Sequence, residues 1–452
     1  MNLKSVFVAS VAAVALLPTQ AIAAAITPEE ASALLDRLNA LEQEVLTLRA
    51  KLTDVETVQQ KQSEQVAAVE KATESKSKTV INWKGAPELK SDDGWSFKPR
   101  GRILIDAGSL GSVPSTITTN DRGFSNEARR VRLGAQGTIP GGFGYKIEAD
   151  LLDGVELTDA YLDYKDGNIK ITVGQHNNFQ SLEELSSSND TSFIERSAFT
   201  DAFGFQRKIG VSAEYKAGDV LLQGGVFTDN IEDLNGANDS IGLDGRLVFA
   251  PKLGGTQLHF GGSIHWSDLG NNITSVRYRQ RPLIHTVDTR FISTDRIMGA
   301  TEETSYGLEA AVVSGRFHAA GETHWAKVSR TGMPNPTFFG GSIEGGIFLT
   351  DDSRVYKGGV FKSLKVKNPV GQGGIGALQF NVRYDHLDLV DAGIIGGTQD
   401  GYMASLIWTP VNQIRFLINY GHLSYSDAFG IVAGAPNDYS VDVFGARAQV
   451  VF

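Results

Sequence analysis

The sequence predicts an all-β transmembrane β-barrel of sixteen antiparallel strands, preceded by an N-terminal coiled-coil helix. Three observations carry that prediction. From Phe97 to the C-terminus, apolar residues recur at every second position, the period of a strand with one apolar face. Short turns alternate with mostly longer connections, as in barrels whose turns crowd one rim and whose loops crowd the other. A secretory signal opens the chain, yet no later stretch is apolar for long enough to form a membrane-spanning helix.

Lys4 supplies the charged start of the signal, Val6 to Leu17 the apolar run, and Ala21-Ile22-Ala23 the small-residue cleavage signature, so residues 1–23 are expected to be removed. Residues 24–75 carry a heptad pattern. Ala31, Leu34, Leu38, Leu41, Val45, Leu48, Leu52, Val55, Gln59, Gln62, Val66, Val69 and Thr73 alternate spacings of three and four. One helix alone cannot bury such a seam, so the pattern predicts a self-associating coiled coil in which Gln59 and Gln62 help to fix register. Spacing by itself leaves dimer and trimer open. The polar stretch 76–96, interrupted by Gly85 and Pro87, reads as a linker.

The barrel domain spans 97–452. Its clearest strand sets Phe143, Tyr145, Ile147, Ala149 and Leu151 against Lys146, Glu148 and Asp150 on the other face. In an outer-membrane barrel the first face meets lipid and the second meets water in the lumen. Strands are expected at 97–108, 127–139, 142–152, 156–165, 168–176, 208–217, 219–228, 241–250, 256–267, 303–314, 315–328, 337–349, 375–388, 400–409, 412–425 and 440–452. An even number returns both barrel ends to one side, the periplasmic side, where the coiled coil is also expected. By that parity Thr350 to Gly374 is a periplasmic connection of unusual length. Phe452, behind Phe444, Ala446, Ala448 and Val450 on one face, resembles a C-terminal outer-membrane insertion signal.

Composition narrows the function classes. Cysteine is absent, which excludes a disulfide scaffold, a thiol nucleophile and Cys-ligated metal. With 52 acidic and 42 basic residues the formal charge is −10, which argues against a nucleic-acid partner. His259 and His265 share a strand face, as do His318 and His324. Two-residue periodicity produces such pairs by chance, so no catalytic residue, metal site or cofactor is assigned, and an enzyme is not expected.

The segment Val276-Arg277-Tyr278-Arg279-Gln280-Arg281-Pro282 points instead to anions. In an extended chain its arginines stand about 6.8 Å apart on one side, with Arg290 and Arg296 following. Guanidinium is always charged and offers a planar fork of donors that matches phosphate oxygens. One charge pair at 4 Å is worth roughly 4 kcal/mol at an effective dielectric of 20, so a single deep site would trap an ion. Several comparable sites in series would pass it on.

Beyond these patterns, the chain from about Phe97 to its end resembles the phosphate- and polyphosphate-selective porins of Gram-negative bacteria, the porin O and P family. The resemblance lies in Ala128-Arg129-Arg130-Val131-Arg132-Leu133-Gly134, Asp159 to Leu162, Ile171 to Gln175, Ser181 to Ser188, Phe193 to Ser197, Arg277 to Pro282, Gly346 to Thr350, Tyr356 to Phe361 and Arg447 to Phe452. It implies a homotrimeric porin in outer-membrane lipid, with a water-filled, anion-preferring channel for phosphate, polyphosphate or other small anions. The resemblance puts Arg129, Arg130, Arg196, Arg277, Arg279 and Arg281 at the constriction, with Arg290 and Arg296 as secondary candidates. Lys357, Lys362, Lys365 and Lys367 would lie at the inner mouth. Glu183, Glu184, Asp190, Glu195 and Asp201 depart from a purely basic pore. The alternatives are a general-diffusion pore of weak selectivity and a mainly structural, tethering barrel.

Overall fold

The two-residue alternation becomes, in space, a closed antiparallel ring. A computed structural model of the chain describes residues 27–74, 79–114, 117, 123–152, 154–234, 239–428 and 437–452; the signal expected at 1–23 lies outside them. The ring runs through β1 (Ser96–Gly111), β2 (Gly123–Ile139), β3 (Phe143–Asp150), β4 (Glu156–Asp166), β5 (Ile169–Asn177), β6 (Arg207–Ala217), β7 (Val220–Phe227) and β8 (Ile241–Phe249). It continues through β9 (Thr256–Asp268), β10 (Ala300–Ser314), β11 (Phe317–Arg330), β12 (Thr337–Phe348), β13 (Ala377–Asp391), β14 (Ile394–Val411), β15 (Ile414–Ser426) and β16 (Tyr439–Val451). The sheet counts 19 strands. Removing Lys252–Leu253 and the two strands of an N-terminal hairpin leaves the sixteen of the ring. Closure is made by β16 on β1, from Asp442 opposite Gly111 to Val451 opposite Arg102.

Burial follows parity. Ile103, Ile147, Val173, Leu222, Phe260, Ile343 and Phe416 are exposed on the outer face, while Arg102, Glu148, Arg246, Glu309, Asn381 and Arg447 are buried on the inner one. An apolar outside around a charged inside matches lipid and not water as the outer environment. The C-terminal Phe452 exchanges both backbone hydrogen bonds with Gly101, at 2.9 and 3.0 Å. A Cβ at position 101 would collide with the Phe452 ring, which explains a glycine inside β1.

Two local expectations change. The stretch read as a linker contains an antiparallel hairpin, Thr79–Lys84 with Ala86–Ser91, turning at Gly85 with φ 81°. Its second strand meets β1 through Leu89 opposite Phe97. The connection expected between 388 and 400 is instead an extension of β13 and β14 around a two-residue turn, Ala392-Gly393. Both turn residues have positive φ, 52° and 83°, matching the twist of a tight hairpin. A bulge between Asp388 and Val390, and Gly396 and Gly397 beyond the turn, hide the alternation there.

The N-terminal unit, described by itself, is one 47-residue helix, α1 (Pro28–Glu74). Thr27 and Glu30 cap its start reciprocally, with the Glu30 N–H donating to Thr27 Oγ1 at 3.4 Å and the Thr27 N–H donating to Glu30 Oε2 at 3.1 Å. Leu34, Leu38, Leu41, Val45, Leu48, Leu52 and Val55 are all exposed along it.

The main apolar core is inside the barrel. Connections 178–206 and 269–299 enter from the loop rim, and 349–376 enters from the opposite, turn rim. Phe193 and Phe199 of the first and Phe291 and Ile292 of the second pack against Val328, Leu387 and Leu389 of the wall. The insertions therefore share the lumen with the wall, and the space left open depends on how they are held.

Candidate functional site

Connection 178–206 is bound to the wall by arginines of β13, β15 and β16. Arg415 donates to the carbonyls of Asn189 and Thr191 at 2.8 and 2.6 Å, and Arg447 to that of Ile194 at 2.6 Å. The Arg383 guanidinium lies 4.3 Å over the Phe193 ring and reaches the carbonyls of Glu195 and Arg196. Glu195 accepts from Arg129 at 2.8 Å and from Arg447 at 2.9 Å, and Arg447 also forks onto Asp106 at 2.7 Å. These donors are consumed in holding the loop. Within the loop, α2 (Leu182–Leu185) offers its first N–H groups to the wall residue Glu322, at 2.8 and 2.7 Å. The Glu183 carboxylate accepts from the N–H and Oγ of Ser197, just before α3 (Ala198–Phe203).

The turn-rim connection is anchored on the other side. Arg246, on β8 and fully buried, donates to Glu309 at 2.6 Å and to the Gly359 carbonyl at 2.9 Å, while His259 meets Tyr356 Oη at 2.5 Å. The two insertions touch each other: the Phe361 N–H donates to Ser186 Oγ, and Ser363 Oγ to Asp190. With both insertions held there, a sizeable cavity is left beside the arc of β1 to β6.

That arc is basic. A cavity of about 400 Å³ is lined by nine basic side chains, Arg100, Arg102, Arg130, Arg132, Lys146, Lys170, Arg196, Arg207 and Lys362, against the acids Asp159, Glu184 and Glu214. A bulge in β2 shapes it: Leu104 pairs with Arg130 and Ile105 with Ala128, leaving Arg129 as the extra residue. Two residues opposite one let consecutive arginines face inward, which strict alternation forbids. Arg129 spends its charge on Glu195. Arg130 makes no hydrogen bond or ion pair with any described residue. Most of its neighbours are matched: Arg102 with Glu148 at 2.9 Å, Arg132 with Asp150 at 2.8 Å, and Asp159 with both Lys146 at 2.7 Å and Arg207 at 3.1 Å. Arg196 donates to the carbonyls of Glu183, Glu184 and Ser186 and pairs with Glu184 at 3.2 Å.

A second cavity, about 350 Å³, lies among Arg277, Arg279, Arg290, Arg296 and Asp201. Arg277 and Arg279 are exposed, while Tyr278 and Gln280, which alternate with them, are buried. Arg281 does not extend the row: its guanidinium turns back to the Val287 carbonyl and to Asp288, at 3.1 and 3.2 Å. Its N–H donates to Asp201 at 2.6 Å. Burial first, then Arg281, brings Arg290 down to about 10, so it stays charged at neutral pH. Burial followed by Arg277 and Arg281 lowers Arg279. Burial pushes the carboxyls of Glu184 and Asp201 up. Glu195 runs the other way, because Arg129 and Arg447 outweigh its burial and hold it well below the usual carboxylate range. Of the lysines, Lys362 lines the larger cavity, and Lys357, Lys365 and Lys367 are exposed on the turn-rim connection.

A family model for phosphate-selective porin O and P matches residues 97–452. The chain belongs to that family. It is 48% identical over 386 residues to an uncharacterized protein of Caulobacter vibrioides, covering 83% of this chain and 77% of that one. Among solved structures, outer-membrane-expressed OmpT of Vibrio cholerae shares the barrel fold, with a TM-score of 0.51 and 14% identity over 81% of this chain and 100% of that one. An anion-selective porin from Comamonas acidovorans aligns with a TM-score of 0.49 and 11% identity over 79% of this chain and 100% of that one. The family and the barrel are those of an outer-membrane, channel-forming porin.

The porin's wall residues Arg100, Arg102, Arg132, Lys146, Lys170 and Arg207 escape a reading centred on loop motifs. A signal for them exists: Arg100-x-Arg102 and Arg130-x-Arg132 keep inward parity, and Lys146 lies on the polar face of the clearest strand. Arg383, Arg415 and Arg447 carry the same parity signal. Nothing in the sequence separates these loop-holding arginines from the free ones.

Proposed function

We propose that this porin conducts small anions in preference to cations, phosphate among them, along the basic arc of β1 to β6. The observation that carries the reading is Arg130, a guanidinium in a cavity lined by nine basic and three acidic side chains, with no partner among the described residues. An entering anion finds an open donor fork there without displacing a carboxylate. Arg277 and Arg279 supply a second cationic station, as stepwise conduction requires. The exposed heptad seam of α1 supports a trimer joined by a periplasmic coiled coil after removal of residues 1–23. Deleting residues 31–73 is expected to weaken trimers in detergent without abolishing the barrel, as analytical ultracentrifugation would report.

A weakly selective general-diffusion pore is the second reading, favoured by the carboxylates that match Arg102, Arg132, Lys146 and Arg207. One experiment separates the two. Reversal potential across a planar bilayer in asymmetric KCl, followed by addition of phosphate, is expected to give chloride preference and block of the chloride current. A cation-preferring or unselective pore, indifferent to phosphate, overturns the proposal.

A further inference from the structure

Rings share the lining of the larger cavity with its cations. Tyr161 on β4 stands opposite Gly174 on β5, where a Cβ would run into the β4 backbone. On β5, Lys170 and His176 flank that glycine. Lys170 Nζ lies 5.8 Å from the Tyr161 ring centroid, and the His176 ring meets Tyr161 edge-on at 6.1 Å. His176 is fixed by the Gly174 carbonyl at 2.8 Å and by Ser212 Oγ at 2.7 Å. Its ring packs on Phe227 at 5.2 Å, which in turn meets Phe179 at 6.1 Å. Tyr161, His176 and Phe179 all line the cavity together with Arg130, Lys170 and Arg207.

Inorganic phosphate engages the cationic groups and has no apolar surface to offer the rings. A volume of about 400 Å³ in which three rings stand beside nine basic and three acidic side chains has room for a small organic anion and offers an apolar surface as well as charge. We propose that this cavity binds organic anions in which a planar ring carries a carboxylate. The carboxylate is taken by the Arg130 side and the ring by the Tyr161–His176–Phe179 strip. The proposal rests on the anion-channel reading above and narrows the class of solute.

Chloride current through the whole porin in planar bilayers, titrated with benzoate and separately with acetate, tests it, since the two probes share a charge and differ by the ring. Benzoate is expected to block at roughly threefold to tenfold lower concentration than acetate, the range one aromatic contact supplies. Tyr161→Leu and Phe179→Leu, which keep apolar volume, should each bring that ratio toward one. Phe339→Leu, on the outer face, should leave it unchanged. Calorimetry on the wild-type porin in detergent should give the same benzoate-to-acetate ratio, independent of any variant. Equal block by the two probes, or a ratio that survives both lumen substitutions, overturns the proposal while chloride preference stands. A cation-preferring reversal potential removes the channel reading and this proposal together.

Discussion

Arg130→Ala removes a cavity guanidinium of β2 that has no partner among the described residues, and the size of its effect follows from charge alone. A unit charge about 5 Å from a passing ion contributes about 0.8 kcal/mol in a water-like dielectric, and about 3 kcal/mol at an effective dielectric of 20. The cavity opens to the lumen, so the smaller figure sets the expectation. The charge favours chloride and disfavours potassium, so the two changes add to about 1.6 kcal/mol, roughly a tenfold loss in the chloride-to-potassium permeability ratio. Salt sharpens the test. The screening length is about 10 Å at 0.1 M and about 3 Å at 1 M, so the loss should be large in dilute KCl and mostly vanish in concentrated KCl. Reversal potentials of wild type and variant at both salt levels measure this. A permeability ratio unchanged at low salt would refute the electrostatic role assigned to Arg130. Arg130→Lys should keep the chloride preference yet lose phosphate block, since an ammonium lacks the planar fork.

Glu195→Gln leaves Arg129 and Arg447 without their shared carboxylate, a cost of roughly 2–4 kcal/mol. The folded band on electrophoresis should convert to the unfolded one at a lower heating temperature; an unshifted conversion would show that the loop is held by something else. Arg277→Ala or Arg279→Ala should weaken phosphate block, whereas Arg281→Ala should chiefly loosen its own segment, because its guanidinium already binds Val287 and Asp288. Equal effects on block from all three would contradict that division. Lowering pH from 7 to 5 should raise chloride preference: burial makes Glu184 and Asp201 the first of these carboxylates to take up a proton, which removes negative charge beside the cationic cavities. Glu195 stays ionised between its arginines. A preference that falls with pH would reverse the sign and sink the argument.

Strand identity and facing were legible in the sequence because both are local. A period of two assigns each side chain to lipid or lumen without reference to any distant residue. The alternation at Phe143–Leu151, the length of the 350–374 connection and the seam of α1 could all be read that way. Where local rules were interrupted the reading slipped, as at Gly85, and at Ala392-Gly393 where glycines masked two lengthening strands.

Which arginines are free was decided only by the tertiary structure. Arg129 and Arg130 are neighbours in one motif, yet the bulge turns both inward and Glu195, 66 residues away, claims the first. Arg447 has the same parity as Arg102 but is committed to Asp106, 341 residues earlier, and to the inserted loop. Hydrophobic period needs only neighbours along the chain, whereas the pairing of a charge needs the partner that folding brings. The sequence by itself therefore determined a barrel with basic residues of inward parity, and tertiary contacts determined which of them are paired and which are left without a partner among the described residues.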